Sequence, residues 1–583
     1  MTGTASSSRS SLTPLPRLLD ALYARVPFGL LDRLAGRPRI AVLTIGGLAC
    51  LGAALLALVV GISLPAIHDE FAYLLQADTF AQGRLTNPTH PMWQHFETFH
   101  VLWQPTYASK YPPAQGLILA LGQILGHPVI GVWLSVGLMG AAITWMLFAW
   151  VPPRWAVVGG MLLTLQLGIT SYWAQSYWGG AVAAAGGALL YGGVRRLLDN
   201  PRLRDGVFLG LGLAILANSR PFEGFLVSLP VVALLSWGLI RRGTGRLLAA
   251  LGVTLAILAV TITMMGYYNY RVTGDFLTMP HKAYTEMYAV TPNFFWQEAP
   301  DLSGREFRHP EFEAFFRDYA LERYEEMRDP WVFLGRSLGK LMTIHLFFLG
   351  PGILALIGLR RAVRDRWVLL AAGIWAVLLL AELFTGTWPH YLAPATGLIF
   401  LVMIASLRAL HEISSPRLEG RRAVLLIAVF FALSLPLRLL VLDTQEERSP
   451  ASFAQRRHAV IEELRRRPGR DLVIVDYGPE HNVHREWVYN EADIDEAEIV
   501  WARDMGNENE ELIDYFRERR IWHLEVNDMT RLREVARRYP ARFNTVEQWP
   551  HSPEAAFPLS QRADPAPNMV WSRPENSPGT PGT

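Results

Sequence analysis

Runs of apolar residues with almost no charge recur from Ile40 to Leu442, each near the roughly 20 residues that a helix needs to cross a bilayer. Eleven spans are predicted, at 40–63, 128–150, 155–173, 178–194, 206–219, 222–240, 247–267, 331–358, 367–385, 390–408 and 422–442. The segment 114–126 is apolar but too short to span, and is expected at the interface. Residues 443–583 change character. Apolar strands at 472–477, 498–502 and 521–526 alternate with helical patterns at 452–467, 508–519 and 530–539, the alternation of a βαβ domain. The predicted fold class is an α-helical polytopic membrane protein with a small C-terminal soluble α/β domain. Its parts are a leader (1–39), a transmembrane domain (40–442) with long loops at 64–127 and 268–330, an α/β domain (443–562) and a disordered Pro/Ser/Gly-rich end (563–583).

Composition supports this division. Of 583 residues, 51% are hydrophobic and 18% charged, and the mean hydropathy is +0.18. A soluble domain carries about 25% charge. Residues 442–583 hold 27 of the 52 Asp and Glu. One cysteine excludes a disulfide framework. The net charge of +2 gives no sign of nucleic-acid binding. Arg clusters in alternate connections (Arg33, Arg37 and Arg39; Arg195 and Arg196; Arg241 and Arg242; Arg360, Arg361, Arg364 and Arg366). By the positive-inside rule these connections and the N-terminus are cytoplasmic, so both long loops and the tail are expected outside. The first span is too long for a signal peptide, and 16–34 is amphipathic enough to lie on the inner surface. The expected location is a bacterial inner membrane with the C-terminal domain in the periplasm.

Candidate chemistry collects at the outer ends of the spans. His68-Asp69-Glu70 follows the first span, and a carboxylate pair beside hydrocarbon suits a general base or a divalent cation as well as a simple stop to the span. Lys110-Tyr111-Pro112-Pro113 closes the first loop. Lys110 is one of three lysines among 54 basic residues, and a cation at headgroup depth suits either a phosphate or snorkelling to lipid. Arg220 and Glu223 fill a short outer connection, as an ion pair or as an anion site with its support. The second long loop opens Tyr267-Tyr268-Asn269-Tyr270-Arg271 and runs through His281 and Lys282 to Phe294-Phe295-Trp296, aromatics that suit a sugar or the membrane belt. Glu382 stands alone near the end of a span, and His390-Tyr391 opens the next.

The acidic pair after the first span, Lys110 to Pro113, the His390-Tyr391-Leu392-Ala393-Pro394 motif and the soluble domain after the last span together resemble the GT-C superfamily of membrane glycosyltransferases. The likeness is greatest to the bacterial branch related to protein O-mannosyltransferases and aminoarabinose transferases, and covers residues 40–441. The resemblance implies an inverting transfer of a sugar from a polyprenyl phosphate to an envelope glycan, lipid or protein. Asp69 would be the base, and Glu70 would orient it or share a cation with it and His68. Lys110, Arg220 and His390 would face the lipid phosphate, with Tyr111, Glu223, Arg271, Glu382 and Tyr391 completing the binding site. A divalent cation is left open; otherwise the lipid-linked sugar and membrane lipids are the small partners implied. One departure is that Tyr111 separates Lys110 from the two prolines, where many relatives place the cation directly before them. The tail segments His484 to Asn490 and Val500 to Asp504 resemble tails of uncharacterised members and imply no activity. A flippase for lipid-linked sugar would place its polar groups at midplane and show repeats, neither of which the sequence has. A non-catalytic scaffold remains the third alternative.

Overall fold

The computed structural model describes residues 14–25, 28–242, 245–299, 305–386, 388–414, 419–442, 452–479, 481–526 and 530–535. The expected disordered end lies outside these residues, as do residues 536–562. All eleven predicted spans are helical over most of their length, with bends at 169–171 and 176–180, and eight helices among the described residues are long and apolar enough to cross a membrane. The other three are Pro153–Leu163 continued by a π-helical turn (Thr164–Gly168), Ala181–Asp199, and Leu203–Ala217. Ala181–Asp199 is packed on nearly every side, and its small residues allow this. At Gly187 an added Cβ would lie 1.8 Å from the carbonyl oxygen of Pro394, so only glycine admits the turn that carries His390.

The first long loop is built rather than open. It begins with a helix, His68–Ala81, and contains three short strands, β1 (Asn87–Pro88), β2 (Val101–Leu102) and β3 (Thr106–Ser109), in the order β1-β3-β2. The helix Pro113–Ile124 follows, with Pro112 and Pro113 at its start, where missing N–H groups cost nothing. Its exposed face is Leu117, Leu121, Ile124 and Leu125, as an interfacial helix requires. The second loop carries Pro280–Tyr288 and a helical stretch from Pro310 to Glu326, which buries Phe312, Phe316 and Tyr324. At the opposite end of the bundle, Arg154 pairs with Asp32 and Arg422 with Asp20, which ties the leader helices to the Arg-rich connections.

The tail sheet runs β5-β4-β6-β7, with β4 (Asp471–Tyr477), β5 (Ile499–Arg503) and β6 (Arg520–Val526) parallel and β7 (Thr530–Val535) antiparallel to β6. The three predicted strands and the first helix, Phe453–Arg465, are present. The predicted helix at 508–519 is shorter, Asn509–Tyr515 after a single 3-10 turn. The predicted helix at 530–539 is incorrect over its described part, which is β7. An exposed β6 edge would leave a row of unpaired backbone groups, and β7 satisfies them.

The tail is also not a separate module beside the membrane domain. One apolar core joins Phe71, Ala72, Leu75, Phe96, Val101, Trp103 and Tyr107 of the first loop to Phe453, Trp487, Tyr489, Trp501 and the strands of the sheet.

Candidate functional site

Asp69 lies in the first turn of His68–Ala81, where the helix dipole favours a negative charge. Its carboxylate remains about one quarter exposed, with a side-chain accessibility of 28%. The Tyr111 hydroxyl donates to Asp69 Oδ1 at 2.5 Å, joining the beginning of the first loop to its end. Burial and the Asp69 charge hold the Tyr111 phenol well above its usual value, so it stays a donor. Tyr73, one helical turn after Asp69, stacks on Tyr111 with ring centroids 4.4 Å apart.

The second oxygen of Asp69 faces His100 Nε2 at 3.8 Å. His100 Nδ1 in turn meets Lys110 Nζ at 2.9 Å. The β2–β3 hairpin creates this pairing. It aligns Val101 with Ser109, and the flanking Lys110 N–H donates to the His100 carbonyl at 3.1 Å. His100 has φ = +64°, a left-handed conformation that a residue with a Cβ seldom takes and that tends to mark functional positions. Burial, reinforced by Lys110 and His68, keeps its imidazole well below the usual value and therefore neutral. A neutral ring accepts from the Lys110 ammonium through Nδ1 and presents Nε2–H to Asp69. Burial also pushes Lys110 down to about 8, with Asp69 acting in the opposite direction. The Lys110 ammonium lies 4.7 Å from the Tyr284 ring centroid and 5.2 Å from that of Tyr111.

A second cation belongs to the same aromatic group. The Arg220 guanidinium lies 4.8 Å from the Tyr391 ring centroid and within electrostatic reach of Tyr73, Tyr111 and Glu223. Asp69 is within the same reach of Tyr73, Tyr111 and Tyr391. The three tyrosines are thus common neighbours of the carboxylate and of Arg220. Glu382 is buried, accepts from Thr385 Oγ1 at 2.8 Å, and completes an acidic flank with Glu223 behind Arg220. His390 is buried behind this group, 3.0 Å from the Tyr172 hydroxyl and edge-on to Trp178 at 4.6 Å.

Other sequence-selected residues have different positions. Glu70 is buried, and its two oxygens accept from the backbone of Ala66 at 2.8 Å and Tyr177 at 3.0 Å. It therefore anchors the start of the site helix to the short connection at 174–177. His68 turns to the tail, 2.9 Å from the Tyr489 hydroxyl. Among the described residues, His68, Asp69 and Glu70 do not converge as a cation ligand set. Arg271 is exposed, and its contact is with Tyr267 of its own helix at 3.2 Å, outside the group around Asp69. Phe294 and Trp296 stack on each other and pack on Phe222 and Phe384, the arrangement of a membrane belt.

The structure adds residues that the sequence did not single out. His100 and Tyr284 belong to the site itself, and the positive φ that marks His100 is invisible in a lone loop histidine. Tail residues hold the site helix: Tyr489 stacks on Phe71 at 4.3 Å, and His484 reaches over His68 and packs edge-on to Tyr319 at 4.6 Å. Arg503 is fully buried. It donates to the Glu97 carbonyl at 2.7 Å and pairs with Glu311 at 2.8 Å and with Glu486. One guanidinium thus joins both long loops to the tail, and the two tail segments noted in the sequence supply Glu486, Tyr489 and Arg503.

No protein-family model matches the chain, and no curated protein matches it in sequence. Among solved structures it is similar to apo ArnT from Cupriavidus metallidurans, with 12% identity, TM-score 0.45, and coverage of 82% of this chain and 91% of that one. The same enzyme bound to undecaprenyl phosphate gives 12%, 0.44, 86% and 93%. The oligosaccharyltransferase AglB from Archaeoglobus fulgidus, with an inhibitory peptide and a dolichol-phosphate, gives 10%, 0.43, 84% and 70%. Likenesses at this level assign no activity.

Replacing Arg503 with methionine leaves Glu311 and Glu486 without their counter-charge, and breaking a buried pair in this way costs about 3–5 kcal/mol. The expected result is a clearly lowered Tm of the purified protein, with Arg503→Lys intermediate. An unchanged Tm for Arg503→Met would show that the guanidinium does not hold loops and tail together.

Proposed function

We propose that the chain is an inverting glycosyltransferase of the GT-C type, which moves a sugar from a polyprenyl-phosphate donor to a hydroxyl acceptor of the cell envelope. The N-terminus is cytoplasmic, and the site opens on the outer face of a bacterial inner membrane. The observation that carries this reading is a partly exposed carboxylate, Asp69, at one end of a helical bundle, with two cations in its surroundings. Lys110 reaches it through His100, and Arg220 through a shared set of tyrosines.

Asp69 takes the proton of the acceptor hydroxyl as that oxygen bonds to the anomeric carbon. The bond between this carbon and the phosphate oxygen breaks, and its electron pair leaves with the polyprenyl phosphate. A phosphate leaving group needs charge neutralisation rather than a proton, and Lys110 and Arg220 supply it from fixed positions. Tyr111 fixes Asp69 by occupying one oxygen, leaving the other to meet the acceptor. His100 positions both Asp69 and Lys110. His390 acts behind the site, by bracing the turn that carries Tyr391.

The test is release of polyprenyl phosphate from a panel of polyprenyl-phosphate hexoses and pentoses, offered to the full-length protein with crude envelope acceptors. Asp69→Asn should slow release by about 10²–10⁴-fold, the usual contribution of a general base, while keeping the wild-type Tm. Release at the wild-type rate from folded Asp69→Asn would exclude the assigned base.

The rate should also fall as pH rises through about 8, because the Lys110 ammonium is present below that value and lost above it. Lys110→Arg keeps its charge and should move this limb to higher pH. A limb that stays in place in Lys110→Arg would assign the titration to another group.

A further inference from the structure

The carboxyl ends of the parallel strands in the tail bring together three side chains that the proposed reaction does not use. Such strand ends are where open α/β sheets commonly bind their ligands. Asp476 is the sixth residue of β4, and Asp504 follows β5 directly. The Asp504 N–H donates to the Val475 carbonyl at 2.9 Å, which continues the β4–β5 ladder and sets the two aspartates side by side. His523 of β6 is nearly buried and lies two residues before Glu525, the residue paired with Asp476, so His523 and Asp476 share a face. Its Nε2 is 3.5 Å from Asp504 Oδ2 and 3.7 Å from Asp476 Oδ2.

Two carboxylates facing each other across neighbouring strands repel, and with an imidazole beside them they form a set of the kind that holds a divalent cation. We propose that Asp476, Asp504 and His523 bind a divalent cation of the zinc class. Two further features support this assignment. Zinc bonds to nitrogen and oxygen of about 2.0–2.2 Å in a tetrahedral arrangement place ligand atoms roughly 3.3–3.6 Å apart. The three ligand atoms here lie within 4.8 Å of one another, and both distances to His523 are already near that value. In addition, the other oxygen of Asp504, Oδ1, accepts from Gly506 N–H at 2.8 Å and Asn509 Nδ2 at 2.7 Å, outer contacts of the kind that orient a metal ligand. A mixed imidazole and carboxylate set favours zinc over magnesium, which keeps to oxygen. The site lies next in sequence to Arg503. A cation here fixes the ends of β4, β5 and β6, and with them the guanidinium that joins the tail to both loops.

The test is calorimetric titration of zinc chloride into chelator-stripped full-length protein, with magnesium chloride in parallel. Wild type should bind about one zinc, with Tm rising on zinc addition and falling again on chelation. Asp476→Asn and His523→Ala should each weaken binding at least about tenfold. Asp69→Asn should bind zinc as wild type does, which separates this site from the one proposed for transfer. Should His523→Ala fail to fold, Asp476→Asn decides, because its carboxylate is half exposed and its replacement is nearly isosteric. Absence of saturable zinc binding, unchanged affinity in Asp476→Asn, or a preference for magnesium would each overturn the proposal.

Discussion

The hydrogen bond from the Tyr111 hydroxyl to Asp69 fixes the geometry on which the site depends. Asp69 is at the start of the first long loop and Tyr111 at its end, so this contact closes the loop over the end of the bundle. A carboxylate near hydrocarbon is tenable only with donors or cations around it. Closure brings both, because Lys110 precedes Tyr111 and faces His100 across a hairpin. The same tyrosine stacks on Tyr73, placing the aromatic group that Asp69 shares with Arg220. Local chain chemistry prepares the contact. A helix start holds Asp69, and Pro112 and Pro113 fix where the next helix begins.

A loop closed by one hydrogen bond still needs support over its length, and the tail provides it. Phe71 and Leu75 lie on the site helix and pack into the tail's core, while Arg503 extends to both loops. Buried charges of this kind add little net stability, but they penalise wrong arrangements heavily. The tail therefore acts on the site through position. The candidate cation site at Asp476, Asp504 and His523 belongs to the same support, because its ligands are at the strand ends nearest Arg503.

Much of this was legible in the sequence. Length and apolarity mark the spans, and Arg asymmetry marks their ends, because both follow directly from the cost of charge in hydrocarbon. Asp69, Lys110, Tyr111, Arg220, Glu223, Glu382 and Tyr391 stood out in the sequence because ionisable and aromatic groups at span ends are conspicuous there. What was not legible depended on pairing across distance. Glu70 resembles its neighbour Asp69 in sequence, yet one step along the helix turns it towards backbone N–H groups. His100 acquires meaning only from its partner across the hairpin. The β7 segment has too weak a pattern to reveal that an open strand edge awaits it, and the tail's share in the core depends on contacts more than 350 residues apart in sequence.

The central claim is that Asp69 acts on the acceptor while Lys110 and Arg220 hold the lipid phosphate. The most direct measurement is the affinity of purified protein for polyprenyl phosphate itself, compared among wild type, Asp69→Asn, Lys110→Met and Arg220→Met. The account predicts that each cation variant weakens binding by about 10–100-fold, the range of a charge-assisted hydrogen bond, while Asp69→Asn binds at least as tightly as wild type. Affinity lost in Asp69→Asn and kept in both cation variants would contradict the division of roles.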